Sequence, residues 1–335
     1  MNFVTGGTGL LGSHVLYELV QRETVVTALK RKGSNTDLVR KLFCFYADNG
    51  DELFSKVRWV EGELDDIYSL IDGLQEVETI YHCAALVSFD KRDRDELFTI
   101  NRDGTARLVD AALDQGVKNF IYASSVAAIG RGKNKEEINE ETQWKDSKNN
   151  GVYALTKRLA EMEVWRGKEE GLNVGIVNPT IILGPGDWRR SSLEIFKRVE
   201  NGLRFYTKGV NGFVDVRDVA RVMLKVKENK LFSERYITVG ENMSYQKLFE
   251  TMAKAMNIQP PSIHAKPWMT EIAWRLLRIP SALLGRSAQI TKETSKTAHN
   301  EYYYSNKKIK EASRHEFYNM RESVDNAVAF HQRSS

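Results

Sequence analysis

Tyr153 and Lys157 are four residues apart in Tyr153-Ala154-Leu155-Thr156-Lys157. On a helix that spacing puts a phenol and an ammonium on one face. A phenol ionises near pH ~10, and a cation one turn away stabilises the phenolate and lowers that value, so the pair suits proton exchange with a substrate oxygen. Phe120-Ile121-Tyr122-Ala123-Ser124-Ser125 ends in two hydroxyls after a strand-like run. Such a run can carry a hydroxyl to the same point. A second constellation opens the chain, Val4-Thr5-Gly6-Gly7-Thr8-Gly9-Leu10-Leu11-Gly12. Gly6 suits a tight turn, Gly9 lets a pyrophosphate approach the backbone, and Gly12 permits close packing of the following helix. Phosphates would rest on the free N–H groups at that helix N-terminus.

The end of the second strand bears on which dinucleotide binds. NAD sites usually place a carboxylate there for the ribose hydroxyls. This chain reads Ala28-Leu29-Lys30-Arg31-Lys32-Gly33-Ser34, three cations and no acid. A carboxylate would repel a 2′-phosphate, whereas Arg31 can pair with it bidentately. NADP(H) is therefore the favoured cofactor and NAD(H) the alternative; a solvated basic turn is the plainer reading of 30–32.

These groups need a scaffold. Short β-branched runs (Asn2–Thr5, Val25–Leu29, Val57–Val60, Thr79–Ala84, Asn119–Ala123, Val174–Asn178) alternate with helical periodicity at Leu10–Val20, Leu97–Leu113 and Val152–Trp165. The alternation predicts an α/β fold, a doubly wound parallel sheet of Rossmann type. Residues 1–180 would form the dinucleotide-binding domain, with segments around 210–240 (Gly212–Val216, Tyr236–Val239) returning to it. Gly184-Pro185-Gly186 breaks the rhythm, and 181–335 would be mostly a smaller, interleaved substrate-binding part.

The 335 residues carry 49 Lys+Arg and 45 Asp+Glu, a net +4, and 41% are hydrophobic. That allows a substantial core, and the interspersed charges give no nucleic-acid footprint. Cys44 and Cys83 lack ligand or framework spacing, so neither a metal site nor disulfides are expected. No run of 18 apolar residues and no basic leader occur, so integral membrane contact is not expected and a cytoplasmic location is.

With these motifs in hand, the chain resembles the extended short-chain dehydrogenase/reductases, the NAD(P)-dependent epimerase/dehydratase family. The likeness runs from residue 1 to about 330, through Gly6–Gly12, Tyr81-His82-Cys83-Ala84-Ala85, Asn101-Arg102-Asp103-Gly104-Thr105, Ser124-Ser125, Tyr153/Lys157, Asn178-Pro179, Gly184-Pro185-Gly186, Phe213–Ala220 and Asn306-Lys307-Lys308-Ile309. The resemblance implies Tyr153 as general acid/base, Lys157 on the nicotinamide ribose, and Ser125 on the substrate oxygen. It implies backbone contacts from Leu10 and Leu11 to pyrophosphate, an adenine contact at Glu63-Leu64, and cofactor lining by Cys83, Ala84 and Ala85. Asn101 would support the active-site backbone, Val177 would lie near the nicotinamide, and Asn178 would face substrate. A homodimer is expected on the same analogy.

Departures narrow the chemistry. Family dehydratases have Thr-Asp-Glu where this chain has Ser125-Val126-Ala127, without a carboxylate. Nucleotide-sugar epimerases carry an Arg where this chain has Asn211. What remains resembles the dihydroflavonol reductase/3β-hydroxysteroid dehydrogenase branch, which also accommodates Ala84-Ala85-Leu86-Val87-Ser88-Phe89. The expected function is NADP(H)-dependent reduction of a ketone or aldehyde, or oxidation of the alcohol. The alternatives are a nucleotide-sugar epimerase with tightly bound NAD and a non-catalytic dinucleotide-binding module.

Other features read more plainly. Trp268, Ile272, Leu276 and Ile279, with Trp274, Leu277 and Leu283-Leu284 nearby, form an apolar stripe expected to pack on the molecule; a lid and a membrane-surface helix are the rivals. His14 and His82 read as packed histidines, Tyr302–Tyr304 as a strand facing alternately in and out. Glu136-Glu137 to Glu140-Glu141, with Lys133 and Lys135, reads as a solvated loop.

Overall fold

In strands at the heart of the fold, neighbouring residues feed opposite faces of one sheet. Phe3, Ile80, Phe120 and Tyr122 enter one hydrophobic cluster, whereas Val4, Tyr81, Ile121 and Ala123 enter another. Successive side chains of a strand point to opposite faces. Apolar residues at both parities therefore require a sheet covered on both sides, the parallel arrangement. The computed structural model describes every residue but 24, 131–135, 146–149, 284–294, 296 and 335, with backbone alone at 276–283.

The strands of the two larger sheets are β1 (Asn2–Thr5), β2 (Val26–Lys30), β3 (Val57–Glu61), β4 (Thr79–His82), β5 (Asn119–Ala123), β6 (Asn173–Pro179), β7 (Ile181–Leu183), β8 (Val210–Asp215), β9 (Glu234–Thr238) and β10 (Glu241–Ser244). Seven of them form one sheet in the order β9-β6-β5-β4-β1-β2-β3. Every pairing in it is parallel. The order reverses between β1 and β4, and ligands of such sheets bind outside the C-terminal strand ends at that switch point.

Helices α1 (Leu10–Val20), α2 (Asp37–Tyr46), α3 (Ile67–Gly73), α4 (Gly104–Asp114), α5 (Val152–Glu169) and α6 (Val216–Glu228) cover the sheet. Residues of α1, α2 and α6 share one core, and those of α3, α4 and α5 the other. The region expected as one helix over Leu97–Leu113 is interrupted: Phe98–Asp103 is a π-helical stretch leading into α4. Such bulges let a helix re-aim a side chain, here Asn101.

The return of later segments takes a particular form. β9 joins the large sheet, whereas β8 pairs with β7 and β10 in a separate three-stranded sheet. Asp215 ends β8 and caps α6 by accepting from the Arg217 N–H at 2.8 Å. The buried Asp218 carboxylate pairs with His315 at 2.9 Å and accepts the Tyr318 N–H at 2.9 Å, which ties the C-terminal segment to α6. The Phe213–Ala220 motif is therefore a hub joining the two sheets.

A third core gathers Leu183, Phe196, Phe213, Leu248 and Met252 with the last helix, Met320–Ser334. Tyr302 and Tyr304 are buried and Tyr303 half-buried, the expected alternation. In the helix Pro267–Leu283 the stripe is less covered than expected: Trp268 and Ile272 are 62% and 48% exposed. The side chains of Leu276, Leu277, Ile279 and Leu283, together with Leu284, Lys133 and Lys135, lie outside the described residues. Among the described residues no helix is long and apolar enough to cross a membrane.

Candidate active site

The glycine loop follows β1. Gly6 has φ +69°, the left-handed region that glycine tolerates. A Cβ there would lie 2.7 Å from the Ala84 nitrogen, so the loop and the chain leaving β4 touch backbone to backbone. A Cβ on Gly12 would fall 2.1 Å from the Gly6 carbonyl oxygen, so its close packing is against the loop itself. Gly9 differs, because a Cβ there meets only the Gly6 oxygen, at 3.1 Å, and otherwise open space. Gly9 also lines a shallow recess together with Thr8, Leu10, Leu38, Gly186 and Arg190, among others.

The first intrahelical bond from α1 is Ser13 N–H to Gly9 oxygen at 3.0 Å. The N–H groups of Leu10, Leu11 and Gly12 precede it and have no helical acceptor. An open glycine, a recess and orphan donors at a helix N-terminus fit a dinucleotide pyrophosphate. At the adenosine end Lys30 pairs with Glu61 at 2.7 Å, while Arg31 and Lys32 are exposed. Glu63 is exposed too, but the Leu64 side chain packs into the core, where a Cβ on Gly104 would touch it at 2.8 Å.

Ser125 and Tyr153 meet at the C-terminal edge of the sheet. Ser125 follows β5, and its Oγ accepts the Ala127 N–H at 3.1 Å, which leaves the hydroxyl proton free to donate. Burial pushes the Tyr153 phenol up to about 12, and the Ser125 hydroxyl beside it pulls the other way. The expected lowering by Lys157 is not what the geometry gives. The Lys157 ammonium donates to the Ala123 carbonyl at 2.9 Å and sits 4.3 Å from the Tyr122 ring centre. Burial brings Lys157 down to about 7, against the pull of Glu161.

Beneath the site lies a chain of hydrogen bonds whose proton directions are mutually consistent. Thr105 Oγ1 donates to the Asn101 carbonyl at 2.6 Å, so it accepts from His82 Nε2 at 3.0 Å. His82 Nδ1 then accepts from Thr5 Oγ1 at 2.6 Å, and that oxygen accepts the Ala84 N–H at 3.2 Å. Asn101 accepts the Leu86 N–H at 2.8 Å and donates to the Leu86 carbonyl at 3.0 Å and to Thr156 Oγ1 at 3.2 Å. The irregular segment after β4, with Cys83, Ala84 and Ala85, is thereby fixed to β1, α4 and α5. His82 is buried and its imidazole, at about 3, is neutral. His14, at about 4, is likewise neutral, between the Leu10 carbonyl at 2.8 Å and the Tyr46 hydroxyl at 3.0 Å.

The structure thus places Gly6, Gly9, Leu10, Leu11, Gly12, Cys83, Ala84, Ala85, Asn101, Ser125, Tyr153 and Lys157 about the C-terminal edge of the central strands. Val177 and Asn178 face inward instead. The Val177 side chain is fully buried in the core, and Asn178, also fully buried, donates to the Ser125 carbonyl at 3.0 Å and to Glu161 at 2.5 Å. A side chain committed to a buried carboxylate cannot also face a substrate. Glu161 itself stands 3.5 Å from the Arg235 guanidinium. It is four residues beyond Lys157, as Lys157 is beyond Tyr153, a spacing that would have pointed to it. Thr5, Thr105 and Arg235 carry no such signal.

A doubly wound sheet, a glycine loop at its switch point and a Ser/Tyr/Lys set across the same edge define a dinucleotide-dependent oxidoreductase. Residues 2–240 match the model of the NAD dependent epimerase/dehydratase family, and the chain belongs to that family. It is an NAD(P)-dependent oxidoreductase of the extended short-chain dehydrogenase/reductase type. A protein of Synechocystis provisionally assigned as a dihydroflavonol 4-reductase is 30% identical over 309 residues, 90% of this chain and 86% of that one. The sterol demethylase protein B of Methylococcus capsulatus is 31% identical, covering 79% of this chain and 77% of its own. Among solved structures, gox2253 superposes with a TM-score of 0.82 at 27% identity, covering 100% and 98% of the two chains.

Proposed function

We propose that the protein is an NADP(H)-dependent reductase of ketones or aldehydes, running as an alcohol dehydrogenase in reverse. The observation that carries the reading is the placement of Tyr153, on a helix packed against the turn after Ser125, beside that hydroxyl at the C-terminal edge of the sheet. Near neutral pH the Tyr153 phenol, at about 12, holds its proton, which is what a group must do to donate to a carbonyl oxygen. A nicotinamide dinucleotide held by the Gly6–Gly12 loop would supply the hydride for the carbonyl carbon. Ser125 and Tyr153 orient the carbonyl oxygen and stabilise its developing charge, and Tyr153 delivers the proton. Lys157, on the same helical face, would hold the ribose hydroxyls of the bound cofactor. Exposed Arg31, with no acid of its own turn to pair with, supports recognition of a 2′-phosphate.

Two observations favour this over nucleotide-sugar chemistry. Val126 and Ala127 supply no second acid beside Ser125. Asn211, in place of a phosphate-gripping Arg, donates to the Tyr245 hydroxyl at 3.1 Å and accepts the Gly212 N–H at 2.9 Å. The test is NADPH consumption with a panel of ketones and aldehydes, run with wild type and Tyr153→Phe. Turnover by wild type and a fall of roughly 10²–10⁴-fold in the variant, with NADPH affinity unchanged, is the expected result. Normal turnover in Tyr153→Phe removes the acid from its role.

A further inference from the structure

The segment Leu86–Asp90 lies beside Tyr153, has no regular secondary structure, and is nevertheless fixed at both ends. Asn101 clamps both backbone groups of Leu86. Ser88 Oγ donates to Asp93 at 2.6 Å and accepts the Asp90 N–H at 3.0 Å, and Asp90 in turn caps the next turn by accepting the Arg92 N–H at 3.0 Å. Between these anchors two apolar side chains, Val87 and Phe89, stay 40% and 43% exposed. The Phe89 ring meets the Tyr153 ring edge-on, with centroids 5.8 Å apart and planes at 67°. A large apolar ring is thus held by a braced loop one ring-width from the proton donor, with much of its surface left in water.

We propose that Phe89, with Val87 beside it, is the specificity-determining wall of the substrate site and selects carbonyl compounds with an aromatic or alicyclic ring next to the reacting carbon. This rests on the reductase reading for its chemistry. Ring stacking on Phe89 would bury apolar area on both partners and hold the carbonyl within reach of the Tyr153 hydroxyl. Small aliphatic carbonyls do not reach the ring and gain nothing from it.

The test compares wild type, Phe89→Ala and Phe89→Tyr with NADPH and four probes: acetophenone, cyclohexanone, acetone and butanone. The expected result is a fall of roughly tenfold or more in kcat/KM for the two ring ketones in Phe89→Ala, carried by KM. Acetone, butanone and NADPH affinity should stay within about twofold, and Phe89→Tyr should recover the ring ketones. An equal fall for all four ketones would make Phe89 a support for Tyr153 and overturn the assignment, as would no fall at all. Acetophenone binding to the NADPH complex, read by saturation-transfer NMR, separates the two proposals. If wild type reduces no ketone yet binds acetophenone through Phe89, the reductase reading fails and the wall stands. If wild type does not bind acetophenone, or Phe89→Ala binds it equally well, the wall is overturned.

Discussion

The two ends of the cofactor cleft are built in opposite ways. At the catalytic end, Lys157, Asn101, Glu161 and Asn178 are no more than 1% exposed, and each has a named hydrogen-bonding or ionic partner. At the adenosine end, Arg31 and Lys32 stand in water beyond a lysine already paired with Glu61. The contrast follows from what each end must do. Proton transfer requires groups held to fractions of an ångström before the reaction, so the cost of ordering them is met in folding. Recognition of a phosphate by a guanidinium needs charge and reach, and a mobile side chain supplies both on binding.

The sharpest way to break this contrast is to loosen the ordered end without touching a reacting atom. Asn101→Leu removes both bonds to Leu86 and the bond to Thr156, leaving buried polar groups without partners. Denaturant unfolding should show a loss of about 2–3 kcal/mol, with slower carbonyl reduction and unchanged NADPH affinity. A loss below about 0.5 kcal/mol would mean that the Leu86 segment is held by other contacts.

Two buried histidines carry a pH signature. His14 and His82, at about 4 and about 3, lie below the ordinary value near ~6.5. As pH falls below ~6.5 the unfolded chain takes up protons that the folded chain refuses, so stability declines through that window down to about 3–4. Between pH ~7 and ~5 each histidine accounts for roughly 2 kcal/mol, and His14→Gln should shrink the decline by about that amount. An unchanged decline would place the titration elsewhere.

The sequence was informative where chemistry is local. Gly6, Gly9 and Gly12 are encoded by spacing within one turn, and Tyr153 and Lys157 by one helical step, so both could be read before any fold was known. The parallel sheet was legible from its alternating runs, with strand ends misplaced by only a residue or two, as where Thr79–Ala84 ends at His82. What stayed hidden depends on convergence. Thr5, His82 and Thr105 meet from β1, β4 and α4, and nothing in their local sequence announces it. Asn178 shows the reverse failure: its position near the end of β6 suggested substrate, but the Glu161 carboxylate beneath turns its amide inward. Gly12 was read correctly as a close contact, with the partner being the loop and not the sheet.

The smallest expected effect lies at the loosely built end, and it bears most directly on whether NADPH is consumed or NAD is retained. The measurement is the dissociation constant of the purified protein for NADPH and for NADH, read by quenching of tryptophan fluorescence, with Arg31→Glu alongside. The account predicts NADPH tighter than NADH by about tenfold, ~1.4 kcal/mol, with that preference lost in Arg31→Glu. NADH bound as tightly or more tightly by the wild-type protein would contradict it.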